Sequence, residues 1–346
     1  MPGISCFSSR RNNMKTKWTR RLFFAAAALA ALALVAPGPA FAAKTHKFAI
    51  ILPGPIEDAD YNFRGYEVAQ DVKKRFKIET SYSERISPAD AERVAREYIA
   101  SGFTIIGFHG GQYVRLVQKL APKFPEVTFV MESSAKFKVP KNVWNIHRHY
   151  FQAFYPFGVL AGLATKTNKV SVIAGIPLPD FKASINTISD ALKATNPKAE
   201  LTYSFTGNQN DPVKARQTAD AMIAGGVDFI INMVNLGVYG VVEAAKKSKR
   251  KVLVTTFYTD KTDKAPQHFA GTLIIDFRPP YRKALEGILK GSPGGYVPMK
   301  LGVGFEIASL GNVSAEAMKK TKEAYEKVRT GAIKPRLAMK KVMLAK

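Results

Sequence analysis

The chain has 346 residues, 46% of them apolar, with a formal net charge of +25. That length and apolar content allow two domains of ordinary size with a real core. The only cysteine, Cys6, lies in a removable leader, which excludes disulfides, thiolate metal sites and cysteine catalysis in the rest of the chain.

Residues 1 to 21 carry six basic residues and no acid, and the apolar run Leu22 to Val35 and the triplet Ala40-Phe41-Ala42 follow. A charged start, an apolar centre and an A-x-A end predict a secretory signal peptide over residues 1 to 42. The apolar run is short for a membrane span. Thr19-Arg20-Arg21-Leu22-Phe23-Phe24 also hints at a twin-arginine signal. Cleavage after Ala42 leaves 304 residues, and loss of six cations takes the net charge from +25 to +19. The expectation is a soluble, exported protein of the periplasm, with no cysteine for lipid attachment. Its Lys and Arg are spread along the whole chain and read as a solvated surface. No nucleic-acid-binding module accompanies them, so nucleic acid is not expected as a partner.

Beyond the leader, apolar β-rich runs alternate with amphipathic ones. Strands are predicted at 47–52, 78–82, 103–108, 127–131, 142–147, 169–174, 199–205, 227–232, 251–257 and 271–276. Helices are predicted at 61–75, 88–101, 112–121, 152–165, 182–194, 212–225, 238–247, 279–290 and 314–329. Such alternation means right-handed βαβ units and parallel sheets. One unit recurs: SPADAERVAREYIASGFTII (87–106) and DPVKARQTADAMIAGGVDFI (211–230) share seven identities at a constant offset of 124. In both, Ser87 or Asp211 caps a helix with proline next, glycine ends it and a buried strand follows. The fold class is therefore α/β: two doubly wound parallel-sheet lobes of like topology, with a ligand cleft between them. Ligands in such sheets bind beyond the carboxyl ends of the strands. The stretch GPIEDADYNFRGYEVA (54–69) is the first of those loops. It holds acids, an aromatic and an amide where a linker needs only a turn.

Six stretches in order resemble the basic membrane protein family, the purine-nucleoside-receptor-like solute-binding proteins of ABC importers. They are Gly54 to Asn62; Phe151-Gln152-Ala153-Phe154-Tyr155 with Gly158 and Ala161-Gly162; Thr165 to Val170; Pro177-Leu178-Pro179-Asp180 with Ile185-Asn186; Asn210-Asp211-Pro212-Val213-Lys214; and Asp276-Phe277-Arg278-Pro279-Pro280-Tyr281. The resemblance covers about residues 46 to 330. It implies a type I periplasmic binding protein whose chain crosses between lobes near residues 148, 276 and 292. Lobe 1 is then 43–147 plus 276–292, lobe 2 is 148–275 plus 293–330, and 331–346 is a basic tail.

In that family the first loop holds a nucleoside or nucleobase through an Asp, an aromatic and an Asn, and Asp58, Tyr61 and Asn62 fall on those positions. By their own chemistry, Asp58 also reads as a helix cap, Tyr61 as a staple or core aromatic and Asn62 as a solvated first-turn residue. As a ligand contact, Tyr61 would be replaceable by Ala with little loss of unliganded stability. The chain departs from the pattern at Gly207-Asn208-Gln209-Asn210, which carries no ring, and at Tyr258, where an acid is expected. Asn208, Gln209, Asn235 and Tyr258 are the candidates there. Phe181, opening the second lobe's first helix, is the candidate ring facing Tyr61. His109, in Phe108-His109-Gly110-Gly111-Gln112, reads as a cleft contact or a cap. Arg148-His149 reads as a hinge or as a group that binds a carboxylate or ring acceptor, with the hinge favoured, and Asp276 as a candidate ligand contact at a crossing, where it accepts hydrogen bonds.

Enzyme motifs are absent from the sequence: it has no G-x-S-x-G, H-E-x-x-H or G-x-G-x-x-G. Neither metal nor cofactor is expected. The reading is a monomeric, non-enzymic solute-binding protein that takes a small polar ligand, nucleoside or nucleobase favoured, by hinge closure and delivers it to an ABC permease. Alternatives on the same fold are an anionic or carboxylate metabolite as ligand, or a sensor docking on a receptor kinase or chemoreceptor. The tail Lys334 to Lys346 packs on a lobe or meets lipid or the permease.

Overall fold

Residues 45–345 are described by a computed structural model. The predicted signal peptide, Cys6 included, lies outside the described residues. The strands are β1 Lys47–Ile51, β2 Glu79–Ser83, β3 Ile105–Phe108, β4 Thr128–Ser133, β5 Val143–Arg148, β6 Lys169–Ala174, β7 Glu200–Phe205, β8 Phe229–Met233, β9 Leu253–Tyr258, β10 Phe269–Ile275, β11 Gly295–Leu301 and β12 Gly304–Ala308. The helices are α1 Tyr61–Phe76, α2 Ala91–Ala100, α3 Val114–Leu120, α4 Tyr150–Ala153, α5 Tyr155–Ala164, α6 Pro179–Thr195, α7 Pro212–Ala224, α8 Val238–Lys247, α9 Arg278–Leu289 and α10 Ala315–Thr330.

The strands run in the order β2-β1-β3-β4-β5-β11-β12-β10-β9-β8-β6-β7. All neighbours are parallel except β10 and β12. The middle of the order is thin. β11 and β12 touch only through Lys300 with Gly304 and Leu301 with Phe305, so the sheet is two half-sheets joined at a turn. The order β2-β1-β3-β4-β5 on one side repeats as β7-β6-β8-β9-β10 on the other. The repeated sequence unit falls on matching places, α2 into β3 and α7 into β8. Each helix is stopped by a glycine at positive φ, Gly102 (+82°) and Gly226 (+99°), a backbone that a side chain would strain.

β11 and β12 were not among the expected strands. β11 alternates small, aromatic and polar residues around a proline, and its apolar run is too short to stand out. Because β11 pairs with β5 along five residues, residues 295–301 lie with the first half. The third crossing is therefore at Gly302–Val303, not near residue 292. Of the tail, residues 336–345 lie on α6. The buried side chain of Asn186 donates to the carbonyls of Ala338 and Lys341, both at 2.9 Å, and accepts from the N–H of Met343. Arg336 grips Asp190 at 2.7 and 2.9 Å.

Tight helix contact fixes the second half. A Cβ on Gly240 of α8 would lie 1.8 Å from the carbonyl oxygen of Pro212 at the start of α7, a clash with backbone that no rotamer relieves. Gly240→Ala is expected to destabilise the protein by about 3 kcal/mol, seen as a lower denaturant midpoint with an unchanged slope.

Candidate functional site

The parallel strands bring one set of loops together at their carboxyl ends. The loop after β1 makes a 3-10 turn over Ile56–Asp58 and then passes through Ala59 at φ +55°. The Asp58 carboxylate, 3% exposed, holds that loop. Its Oδ1 accepts from the N–H groups of Asp60 (3.0 Å) and Phe63 (3.1 Å), and its Oδ2 from the Asn62 N–H (2.9 Å) and side-chain amide (2.7 Å). Asn62 in turn accepts from the N–H of Gly54 at 2.9 Å. Both side chains have their bonding used by the loop itself.

Tyr61 is aimed by this lock. Its ring stacks on His109 with centroids 4.0 Å apart, lies 5.8 Å from Tyr258 and meets the edge of Phe277 at 5.9 Å. His109 is fully buried: Nε2–H donates to the Tyr61 carbonyl (2.8 Å), and Nδ1 is 2.6 Å from Glu132. Glu132, next to last in β4, also accepts from the Tyr281 hydroxyl at 3.2 Å. Arg148, the last residue of β5, reaches over Tyr150 with its guanidinium 5.4 Å from the ring centroid. It lies 3.3 Å from Asp180 and 3.8 Å from Glu132, and its Nη1–H points at the Tyr61 hydroxyl at 3.4 Å. Asp180 opens α6 from the second half, where the helix N-terminus favours its charge. A second buried pair joins the halves: Lys261 donates to Asp60 at 2.6 Å, and Thr259 donates to the same oxygen at 2.8 Å. Burial raises the Asp60 carboxyl above its usual range despite that lysine. Tyr258 sits at φ +71°, a strained backbone for a residue with a side chain, and its hydroxyl is 3.4 Å from that of Tyr150.

A polar cluster buried between two half-sheets at their carboxyl ends is where a doubly wound pair of lobes holds a ligand. A family model described as ABC transporter substrate-binding protein, PnrA-like (Bmp), matches residues 45–334. The chain belongs to this family. A protein of Haloferax volcanii, assigned by its name as an ABC transporter glucose-binding protein, is 26% identical over 51% of this chain and 44% of its own length. A purine-binding protein of Brucella abortus is 26% identical over 56% of this chain and 55% of its own length. The chain thus spans about half the length of the curated relatives it matches. Among solved structures, an ABC transporter solute-binding protein from Conexibacter woesei is 25% identical, with a TM-score of 0.69 over 84% of this chain and 98% of that one. One from Aeropyrum pernix shares the fold at 17% identity, with a TM-score of 0.73 over 84% and 92%.

The sequence-predicted residues separate into three groups. Tyr61, His109 and Tyr258 meet in the cluster. Asp58 locks the loop beneath it, the capping role that its chemistry also allowed, and Asn62 is a buried part of that lock, not a solvated first-turn residue. The others have local partners of their own. Phe181 is buried in the main core, and the second-half ring that meets Tyr61 is Tyr258. Asn208 is exposed and accepts from the N–H of Asn210. The Gln209 side chain fills the space over Gly175, and Asn235 caps a turn through its carbonyl to Val238. Asp276 is held by Arg278 through three bonds of 2.8 to 2.9 Å, as a crossing residue. Sequence reasoning missed Glu132 and Asp180 as site residues, and weighed Arg148 between a hinge and a group that binds a carboxylate or ring acceptor. A carboxylate near the end of a buried parallel strand, as in Thr128-Phe129-Val130-Met131-Glu132, was the available signal. Among the described residues, no group of three or more His, Cys, Asp or Glu is placed to hold a metal ion.

At the first crossing, His147 donates from Nε2 to the Ser134 carbonyl at 3.0 Å, and its Nδ1 accepts from the Tyr296 hydroxyl at 2.8 Å. Burial, with His149 adjacent, pushes His147 down to about 4. An unfolded histidine takes its proton near 6.5, so the fold disfavours protonation. Stability is then full above pH 6.5 and falls as the pH drops from 6.5 toward 4. Wild type should lose on the order of 2 kcal/mol more than His147→Gln across that window, read from melts at each pH. Asp58→Ala leaves three loop N–H groups unpaired and should cost about 3 kcal/mol without any ligand, where a residue that only touched ligand would cost nothing. Tyr61→Ala should lower unliganded stability as well, because the ring is packed on His109, Tyr258 and Phe277.

Proposed function

We propose that the protein is an exported, periplasmic solute-binding component of an ABC importer, which captures a small polar ligand between its two lobes and presents the closed form to a membrane permease. The observation that carries this is the cluster itself. Tyr61, His109, Glu132 and Arg148 come from the first half, Asp180 and Tyr258 from the second, and a ligand held by both favours the closed state by its differential affinity. A nucleoside or nucleobase leads among ligands. Tyr61 and Tyr258 supply aromatic surface, the buried carboxylates accept from N–H and O–H groups, and a relative is named for purine binding. The charged start, apolar centre and A-x-A end of residues 1 to 42 support export.

A thermal-shift panel of nucleobases, nucleosides, sugars, amino acids and carboxylates tests the reading on protein stripped of ligand by unfolding and refolding. A true solute at about a hundredfold over its Kd stabilises by about 2.7 kcal/mol. Purines or nucleosides are expected to give that shift. A flat response across all classes would sink the solute-binding reading.

A further inference from the structure

Three charged side chains buried between the two halves have fewer partners than they can use. Glu132 is fully buried, Asp180 is 5% exposed and Arg148 8%. The separations of 3.3 and 3.8 Å between Arg148 and the two carboxylates exceed the roughly 2.7–2.9 Å of a well-made N–H to carboxylate bond. Arg148 Nε, Glu132 Oε2 and Asp180 Oδ1 find no hydrogen-bond partner in the protein, and neither do Asp60 Oδ2 and Asn232 Oδ1. Four of these five buried atoms are acceptors and one is a donor. A buried ionised group left unpaired is costly, so a molecule that pairs these atoms gains what the protein alone does not satisfy.

Resting on the solute-binding reading above, we propose that Glu132, Asp180 and Arg148 select a neutral or cationic solute that offers N–H or O–H donors to both carboxylates and one acceptor to Arg148 Nε, and that they reject anions. The local charge carries this. The acids Asp58, Asp60, Glu132 and Asp180 are all buried here, against the cations Arg148 and Lys261 and the one proton that the 2.6 Å contact between His109 and Glu132 requires. The acids still outnumber the positive charges, so the cluster is acidic inside a chain of net charge +25. Exposed surface cations are screened beyond about 10 Å at ordinary ionic strength, whereas the buried carboxylates act at contact in a low dielectric. A carboxylate or phosphate entering the site meets Glu132 and Asp180 directly, and a single Nε–H does not offset both. The amino-lactam edge of a nucleobase and the vicinal diol of a sugar each present the required pattern of donors beside an acceptor.

Calorimetric titration of the ligand-stripped protein decides it, with guanosine, adenosine and glucose as neutral probes and glutamate, citrate and inorganic phosphate as anionic ones. Wild type should bind at least one neutral probe and none of the anions. Asp180→Asn and, independently, Glu132→Gln should each weaken that probe at least tenfold, in variants shown to be folded by an intact cooperative melt. Two variants guard against either one failing to fold, and the wild-type contrast between neutral and anionic probes needs neither. Binding of an anion in preference to every neutral probe overturns the proposal and leaves solute binding standing. Unchanged affinity for the neutral probe in both variants also overturns it. No binding of either class by wild type removes the solute-binding reading, and this proposal with it.

Discussion

A guanidinium taken out of water between two carboxylates is the constraint around which the middle of this protein is arranged. Arg148 ends the last strand before the chain first crosses between halves, so its backbone belongs to one lobe while Asp180 reaches it from the other. Burying three charges is unfavourable unless their geometry is good, and here it is loose. The surrounding aromatics, Tyr61, Tyr150 and Tyr258, exclude water without supplying the missing bonds. On the proposed solute-binding reading, closure of the lobes and satisfaction of these charges are one event. What pairs them stabilises the closed arrangement, and what leaves them unpaired works against it. The Asp60–Lys261 pair adds a second tie, better made at 2.6 Å, that holds the loop carrying Tyr61 to the loop after β9.

The loop after β1 shows how such a site is kept rigid. A ligand-binding loop that spends its own polar groups on itself loses contacts but gains precision. Asp58 and Asn62 accept or donate inside the loop, and the reward is the fixed position of Tyr61 against His109. The ring nitrogens of His109 are likewise committed, one to the Tyr61 carbonyl and one to Glu132. The chain thus runs from loop lock to Tyr61, to His109, to Glu132, to Arg148. A change at Asp58 reaches the cluster through that series without touching a ligand.

The fold was largely legible in the sequence, because period and punctuation are local. Ten of the strands and the repeat at an offset of 124 stood out through apolar runs, caps and stop glycines. β11 and β12 did not, since their pairing is decided by distant partners, β5 and β10, and not by their own pattern. The site was legible only in outline. The loop after β1 was suspected from its residue types and does bring Tyr61 to the cluster, but which of its side chains faces outward depends on hydrogen bonds that no spacing encodes. Asp58 and Asn62 have the same chemistry as a ligand contact and as a clamp. Glu132 and Asp180 lie 48 residues apart in sequence and come together only through Arg148, which reaches both.

Net charge is a poor guide to what such a cleft accepts. The Lys and Arg that make the chain basic stand mostly on exposed helix faces, many paired with Glu at helical spacing, as in Arg93–Glu97, Arg96–Glu92 and Lys320–Glu316. Pairs of that kind contribute little and fade with salt. The buried set is smaller and of opposite sign, and nothing screens it. Two fields of different range therefore act on an approaching solute: a weak positive one over the surface, and a strong acidic one at contact. On the proposed reading the first acts on encounter and the second on retention, so the solute kept would be set by the unpartnered oxygens of Glu132 and Asp180 and not by the sign of the whole molecule.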